Sequence, residues 1–200
     1  MYIQIRTMFG GIVGNNRGMI GRSANFGNVH SDGQAVGGIA GLHGYYNASG
    51  YIFECVNFGM VSSKVKCTGG IVGYAGGNGS ASRAYIYNCY NVGTVTGGEL
   101  GAGIIGEASY DGGITHIYNC YNIGNVSNEE IIGHSFGTVI KENNYKKQEV
   151  TIEKLKIKSN IDDQLKQTET YKNDIWLEDI KNTNQGYPIL KWQQEDVNIK

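Results

Sequence analysis

The best local cluster of acid–base groups in the glycine-rich part of this chain is Asp111 with Glu107 and His116. Clustered carboxylates with a basic partner are what cleavage of a polysaccharide needs, one group giving a proton and another taking one. The other acids of the glycine-rich part, Asp32, Glu54, Glu99, Glu129 and Glu130, fall at unlike offsets and are not expected to converge. His30, His43, His116 and His134 are dispersed without paired ligand spacing, and each reads as an ordinary loop or strand-face histidine. No H-E-x-x-H occurs, and the cysteines lack the close C-x₂-C pairs that zinc favours, so no metal site is expected.

Gly101-Ala102-Gly103-Ile104-Ile105-Gly106 fits G-x-G-x-x-G. A dinucleotide fingerprint needs a strand before it and a helix after it. Glu107-Ala108-Ser109-Tyr110-Asp111-Gly112-Gly113 is a poor helix, and related segments lack the first glycine. The match is therefore read as a by-product of repetition, and no cofactor is expected. Four tyrosines, Tyr45, Tyr46, Tyr74 and Tyr110, fall in polar stretches of varying length: His43–Gly50, Tyr74–Ala84 and Glu107–Gly113. If exposed, they offer stiff contact area with a hydroxyl, suited to sugar rings or protein surfaces. They are the candidate binding residues.

The elements that must hold these groups are repeats. Gly69-Gly70-Ile71-Val72-Gly73 recurs at Gly10–Gly14, Gly37–Gly41 and Ala102–Gly106, with a worn copy at Glu130–Gly133. The block Asn88-Cys89-Tyr90-Asn91-Val92-Gly93-Thr94-Val95 recurs around Asn25/Gly27, Asn57/Gly59 and Asn122/Gly124. The period of roughly 27–34 residues is that of repeat architectures, in which single units cannot bury a core and stacked ones can. Apolar runs are short and bounded by Gly or Asn, which reads as strands and corners. The Asn-x-Gly step suits corners, because both residues tolerate left-handed backbone, and stacked asparagines can bond along the array. Cys55, Cys89 and Cys120 occupy equivalent positions, with Ser23 in the first copy, and are expected to form an inward ladder; Cys67 is out of phase. Whether each unit is one coil or several strand pairs stays open.

These residues resemble the GLUG repeat, in which a Gly-hydrophobic-hydrophobic-Gly motif is paired with an Asn-Cys-Tyr-Asn-x-Gly-x-Val block. The resemblance spans about Phe9 to Tyr145, and Gly186-Tyr187-Pro188-Ile189-Leu190-Lys191-Trp192 is similar to the segment closing such arrays. It implies an all-β, right-handed β-solenoid or β-helix-like array with a small C-terminal α+β cap. It also implies a non-catalytic stalk or adhesive role in a larger bacterial surface or secreted protein. The expected divisions are 1–9 (an N-terminal strand or the end of a preceding repeat), 10–145 (about five units) and 146–200 (the cap, with Ile152, Leu155 and Ile157 covering the last rung). A β-helix carbohydrate-active enzyme is the alternative.

Composition agrees with folding into such an array. The chain has 31 glycines, one proline and a net charge of −1, so the high-charge signature of disorder is missing. No basic stripe marks a nucleic-acid partner, and no apolar run is long enough to span a membrane. The partners expected are a glycan or a protein outside the cell, with the chain as one piece of a longer polypeptide.

Overall fold

The computed structural model describes residues 7–64, 66–156 and 175–195. Its chain winds through five successive coils. Coil 1 holds β1 (Met8–Gly10), β2 (Val13–Asn16), β3 (Met19–Gly21), β4 (Ala24–Asn25) and β5 (Val29–His30). Coil 2 repeats this order as β6 (Ala35–Gly37), β7 (Ala40–Tyr45), β8 (Ser49–Phe53), β9 (Val56–Asn57) and β10 (Val61–Ser62). Coil 3 has β11 (Cys67–Gly69), β12 (Val72–Gly77), β13 (Arg83–Tyr87), β14 (Tyr90–Asn91) and β15 (Val95–Thr96). Coil 4 has β16 (Leu100–Ala102), β17 (Ile105–Ala108), β18 (Ile114–Tyr118) and β19 (Tyr121–Asn122), and coil 5 has β20 (Ile132–Ser135), β21 (Thr138–Glu142) and β22 (Tyr145–Lys146). Each strand pairs in parallel with its counterpart one coil away, giving the sheets β1-β6-β11-β16, β2-β7-β12-β17-β20, β3-β8-β13-β18-β21, β4-β9-β14-β19-β22 and β5-β10-β15. One repeat is thus one coil of up to five short strands, which settles the point the sequence left open.

Register places like residues in columns. Val13, Ala40, Val72, Ile105 and Ile132 form one, separated by 27, 32, 33 and 27 residues. Ile20, Ile52, Ile86 and Ile117 form another. The residues just before Val56, Tyr90 and Tyr121, namely Cys55, Cys89 and Cys120, are fully buried, free thiols in the same core as these isoleucines. Burying an isoleucine stabilises by about 1.5–3 kcal/mol, and a coil can do so only because its neighbours cover it.

Each thiol of this ladder donates to the carbonyl two residues earlier: Cys55 to Phe53 at 3.2 Å, Cys89 to Tyr87 and Cys120 to Tyr118 at 3.3 Å. Ser23 makes the same bond, to Gly21 at 2.9 Å. The position therefore selects a small side chain carrying one donor.

The two halves of the repeat explain each other. Asn25, Asn57, Asn91 and Asn122 form a continuous amide ladder, each Nδ2 donating to the next Oδ1 at 2.7–2.8 Å. Each also donates to the carbonyl of the Gly two residues on, at 2.7–2.9 Å. The second glycine of the opening motif makes room for this ladder: a Cβ on Gly38, Gly70 or Gly103 would lie 2.4 Å from the Cγ of Asn57, Asn91 or Asn122. The last glycine has a different cause. A Cβ on Gly73 would meet the Val36 amide nitrogen at 2.5 Å, since β12 crosses backbone-to-backbone over β6 of the preceding coil.

The C-terminal residues pack on a flank. Val150, Leu155, Trp176 and Leu190 bury against Val56, Tyr90 and Tyr121, which face outward beside the Asn column. Helix α1 (Ile152–Leu155), the antiparallel pair β23 (Trp176–Leu177) and β24 (Ile189–Leu190), and α2 (Trp192–Glu195) belong to this layer. Trp192 Nε1 donates to the Glu54 carbonyl at 2.9 Å, Tyr90 Oη to Gln193 at 2.8 Å, and Tyr121 Oη to the Pro188 carbonyl. The described part of this segment thus straps coils 2 to 4 laterally, where the sequence suggested a cap covering the last rung. Of the three residues expected to cover that rung, Ile152 and Leu155 join the flank, and Ile157 lies outside the described residues.

Candidate functional site

The four candidate tyrosines come together, though not as loop residues. Tyr45 ends β7 and Tyr74 lies inside β12, both almost wholly buried, while Tyr46 follows β7 at 42 % exposed and Tyr110 is partly covered. The polar stretches looked like loops because glycine and histidine broke their apolar pattern. Their backbones nevertheless continue the ladder, with Gly77 paired to Tyr45 and Tyr74 to Glu107. Exposure of Tyr45 and Tyr74 is the expectation the structure corrects.

The rings form an edge-to-face chain up the array. Tyr46 meets Tyr45 at 4.6 Å, Tyr45 meets Tyr74 at 5.3 Å, Tyr74 meets Tyr110 at 6.4 Å and Tyr110 meets Phe136 at 5.7 Å. The interplanar angles, 77° to 90°, suit ring edges pointing at ring faces. Gly77 is needed here, because its Cβ would lie 2.5 Å from Tyr45 and 2.9 Å from Tyr74. The strip ends in accessible rings: Phe136 is 60 % exposed with His134 beside it at 4.3 Å, and Arg17 lies 5.1 Å over Tyr46. The sequence pointed to neither Phe136 nor Arg17; only register brings them from coils 5 and 1 to this flank.

Beneath the strip lies a small second core of Ala35, Leu42, Tyr45, Cys67 and Tyr74. Cys67 is out of phase with the thiol ladder because it belongs to β11, and its thiol donates to Glu107 Oε2 at 3.1 Å. The Tyr74 phenol also feels the charge of this carboxylate. Burial, and then the charge of Glu107, push both the Cys67 thiol and the Tyr74 phenol well above their ordinary ranges. Both stay protonated, and the Cys67 thiol acts as a donor.

The carboxylate–histidine cluster suggested by the sequence is not assembled. Glu107 points into this buried layer on β17, whereas His116 lies on β18, stacked on Tyr85 at 4.6 Å with Nδ1 3.3 Å from the Tyr118 hydroxyl. Asp111 sits exposed in the intervening turn with φ +49°. The left-handed turn beginning at Ser109 (φ +58°) redirects the chain between the two strands, so proximity along the sequence does not become proximity of functional groups. Gly101–Gly106 runs from β16 into β17, strand to strand, without the helix N-terminus that would hold a pyrophosphate.

His43 is not a surface histidine. It is fully buried on β7; its Nδ1 accepts from Asn16 Nδ2 at 3.1 Å and its Nε2–H donates to the Tyr85 carbonyl at 3.1 Å. Burial draws its pKa down to about 4, with the Tyr85 bond opposing the shift. The ring is a neutral core group. His30 bonds Ser62 Oγ at 2.8 Å on the surface. Among the described residues no cluster of His, Cys, Asp or Glu is placed to hold a metal ion, and no helix is long and apolar enough to cross a membrane.

The most developed surface feature with recognition chemistry is therefore the aromatic strip from Tyr46 to Phe136, supported by a hydrogen-bonded carboxylate. Comparison of the chain with protein-family models, with curated proteins and with solved structures gave no match.

Proposed function

We propose that the chain is a non-catalytic contact module, a GLUG-type right-handed β-solenoid segment of a larger bacterial surface or secreted protein. On this reading its C-terminal residues act as a cap, and it meets a glycan or protein along the aromatic strip. The observation that carries the reading is the continuous run of rings across coils 2 to 5. Its inner members are locked by packing and its outer members, Tyr46 and Phe136, are accessible. Rings held rigid before contact lose little freedom on binding, which favours stacking on sugar rings or apolar side chains. The rival reading, a carbohydrate-active enzyme, needs two carboxyl groups facing a common space. Here Glu107 is buried and bonded to Cys67, which weighs against it.

A glycan and extracellular-protein array probed with the intact chain and with a Tyr46→Ala, Phe136→Ala double variant tests this. Binding that falls at least tenfold in the variant supports the strip as contact surface. Binding that is unchanged, or turnover of pectins, alginates or glycosaminoglycans that Glu107→Gln abolishes, would overturn it.

A further inference from the structure

The two ends of the array are chemically unlike. At coil 5 the isoleucine column ends on Lys141, opposite Ile117, and the thiol column ends on Asn144, whose Oδ1 accepts from the Cys120 amide at 3.0 Å. The amide ladder closes on a carboxylate, with Asn122 Nδ2 donating to Glu130 Oε2 at 2.6 Å. Solenoids require polar outer faces of this kind on their terminal units.

Coil 1 carries Ser23 in the thiol column and Asn15 opposite Leu42, but it keeps isoleucine where coil 5 has Lys141, and no carboxylate closes its amide ladder among the described residues. Among the described residues its strands β1 to β5 each lie at the end of a sheet, with one paired edge and one edge without a strand partner. Its core columns end on Ile12, Val13 and Ile20. Ile12 is 43 % exposed, whereas Ile39, Ile71 and Ile104, its counterparts, are at 0 %. Met19 and Phe26 are 60 % and 74 % exposed, and Phe26 stacks on Phe58 of coil 2 at 5.0 Å and 5°.

The amide ladder adds a direction. Inside the array each Asn Oδ1 accepts from the Asn Nδ2 of the coil before it. Asn25 Oδ1 accepts the Gly27 N–H at 3.2 Å and, among the described residues, no amide from the coil-1 side.

We propose that the coil-1 end is a docking face for one further parallel β-coil, running in the same direction and carrying its own Asn-x-Gly step. The arriving Asn amide donates to Asn25 Oδ1, its backbone pairs with the free edges of β1 to β5, and its apolar residues cover Ile12, Ile20 and Phe26. The partner is thus a coil of the same repeat chemistry. A second copy of this chain fits less well in either orientation. Coil 1 against coil 1 sets one Asn25 acceptor facing another, and coil 5 against coil 1 lays the ammonium of Lys141 on Ile20.

The experiment adds that coil and asks whether it folds. Residues 35–66 are duplicated directly ahead of Met8, which reproduces the junction between coils 2 and 3. The expected result is one cooperative transition with Tm raised by about 3 °C or more, the shift that roughly 1 kcal/mol produces in a chain of this size. Amide protection in the duplicate should match that of β7 to β9. Changing only the duplicate's Asn57 to Leu should remove at least half of the gain. In the unextended chain Ile12→Lys should leave Tm within about 1 °C, because Ile12 is already 43 % exposed, yet in the extended chain it should abolish the gain. An unprotected duplicate with unchanged Tm overturns the proposal. So does a concentration-dependent dimer of the unextended chain, by sedimentation, that Ile12→Lys dissolves, because coil 1 would then be taken by a second copy.

Discussion

Exchanging one atom group in the middle of the amide ladder should cost more than deleting a whole side chain at its end. Asn91 is fully buried, and its Nδ2 serves two acceptors, the Gly93 carbonyl at 2.7 Å and Asn122 Oδ1 at 2.8 Å. Its Oδ1 accepts from Asn57 Nδ2 at 2.8 Å. Asn91→Asp keeps the shape and replaces the donor by an acceptor. Two buried acceptors are left facing a carboxylate, and each orphaned group costs about 1–3 kcal/mol, more where charge is involved. The variant should therefore be less stable by about 3–6 kcal/mol at pH 7. In the fold the neutral carboxyl is favoured by burial and by its ability to donate, so its pKa is raised. A carboxyl with a raised folded pKa destabilises above that pKa, and the deficit relative to wild type shrinks as pH falls toward about 4. Asn25→Ala, at the array's end, should cost about 1–2 kcal/mol, because it orphans one buried acceptor, Asn57 Oδ1. Urea unfolding followed by far-UV circular dichroism, at pH 7 and pH 4.5 with wild type beside each variant, gives the comparison. The reasoning fails if Asn91→Asp matches wild type at pH 7, if its deficit grows in acid, or if Asn25→Ala is the costlier change.

Three further outcomes follow from the packing. His43 is held neutral with a pKa of about 4, so the unfolded chain binds the extra proton between about pH 6.5 and pH 4. Stability should drop by roughly 3 kcal/mol as pH falls through that window, and thermal melts of His43→Gln should show a flatter profile. Tyr74→Ala removes a buried ring and its edge-to-face contacts with Tyr45 and Tyr110 and should cost about 3–5 kcal/mol, whereas Tyr46→Ala should stay within about 0.5 kcal/mol; equal urea midpoints would contradict the burial. Cys89→Ser should cost no more than about 1.5 kcal/mol, because Ser23 already makes the same bond in that column, and a larger loss in a chemical melt would show that the site selects sulfur.

How far this protein is legible from its residues alone depends on whether the information repeats. The glycines, asparagines and cysteines recur at matching offsets, and stacking like on like is the one arrangement that buries them all, so the parallel array and the Asn and Cys columns could be read directly. Features that occur once could not. Cys67, Glu107 and Tyr74 meet because β11 and β12 of coil 3 lie beside β17 of coil 4, and the chain between them gives no local sign of it. Tyr45 and Tyr74 looked like loop residues because glycine-rich strands imitate loops when their pairing partners are about thirty residues away. The lateral position of Trp176 and Trp192, the burial of His43 and the separation of Glu107 from His116 were likewise decided by three-dimensional register. Periodic sequence specifies which residues align along the axis, because translation by one coil is the only operation involved. Which faces of successive strands look at one another depends on corner geometry, and that is set by backbone dihedrals and packing in the assembled coil.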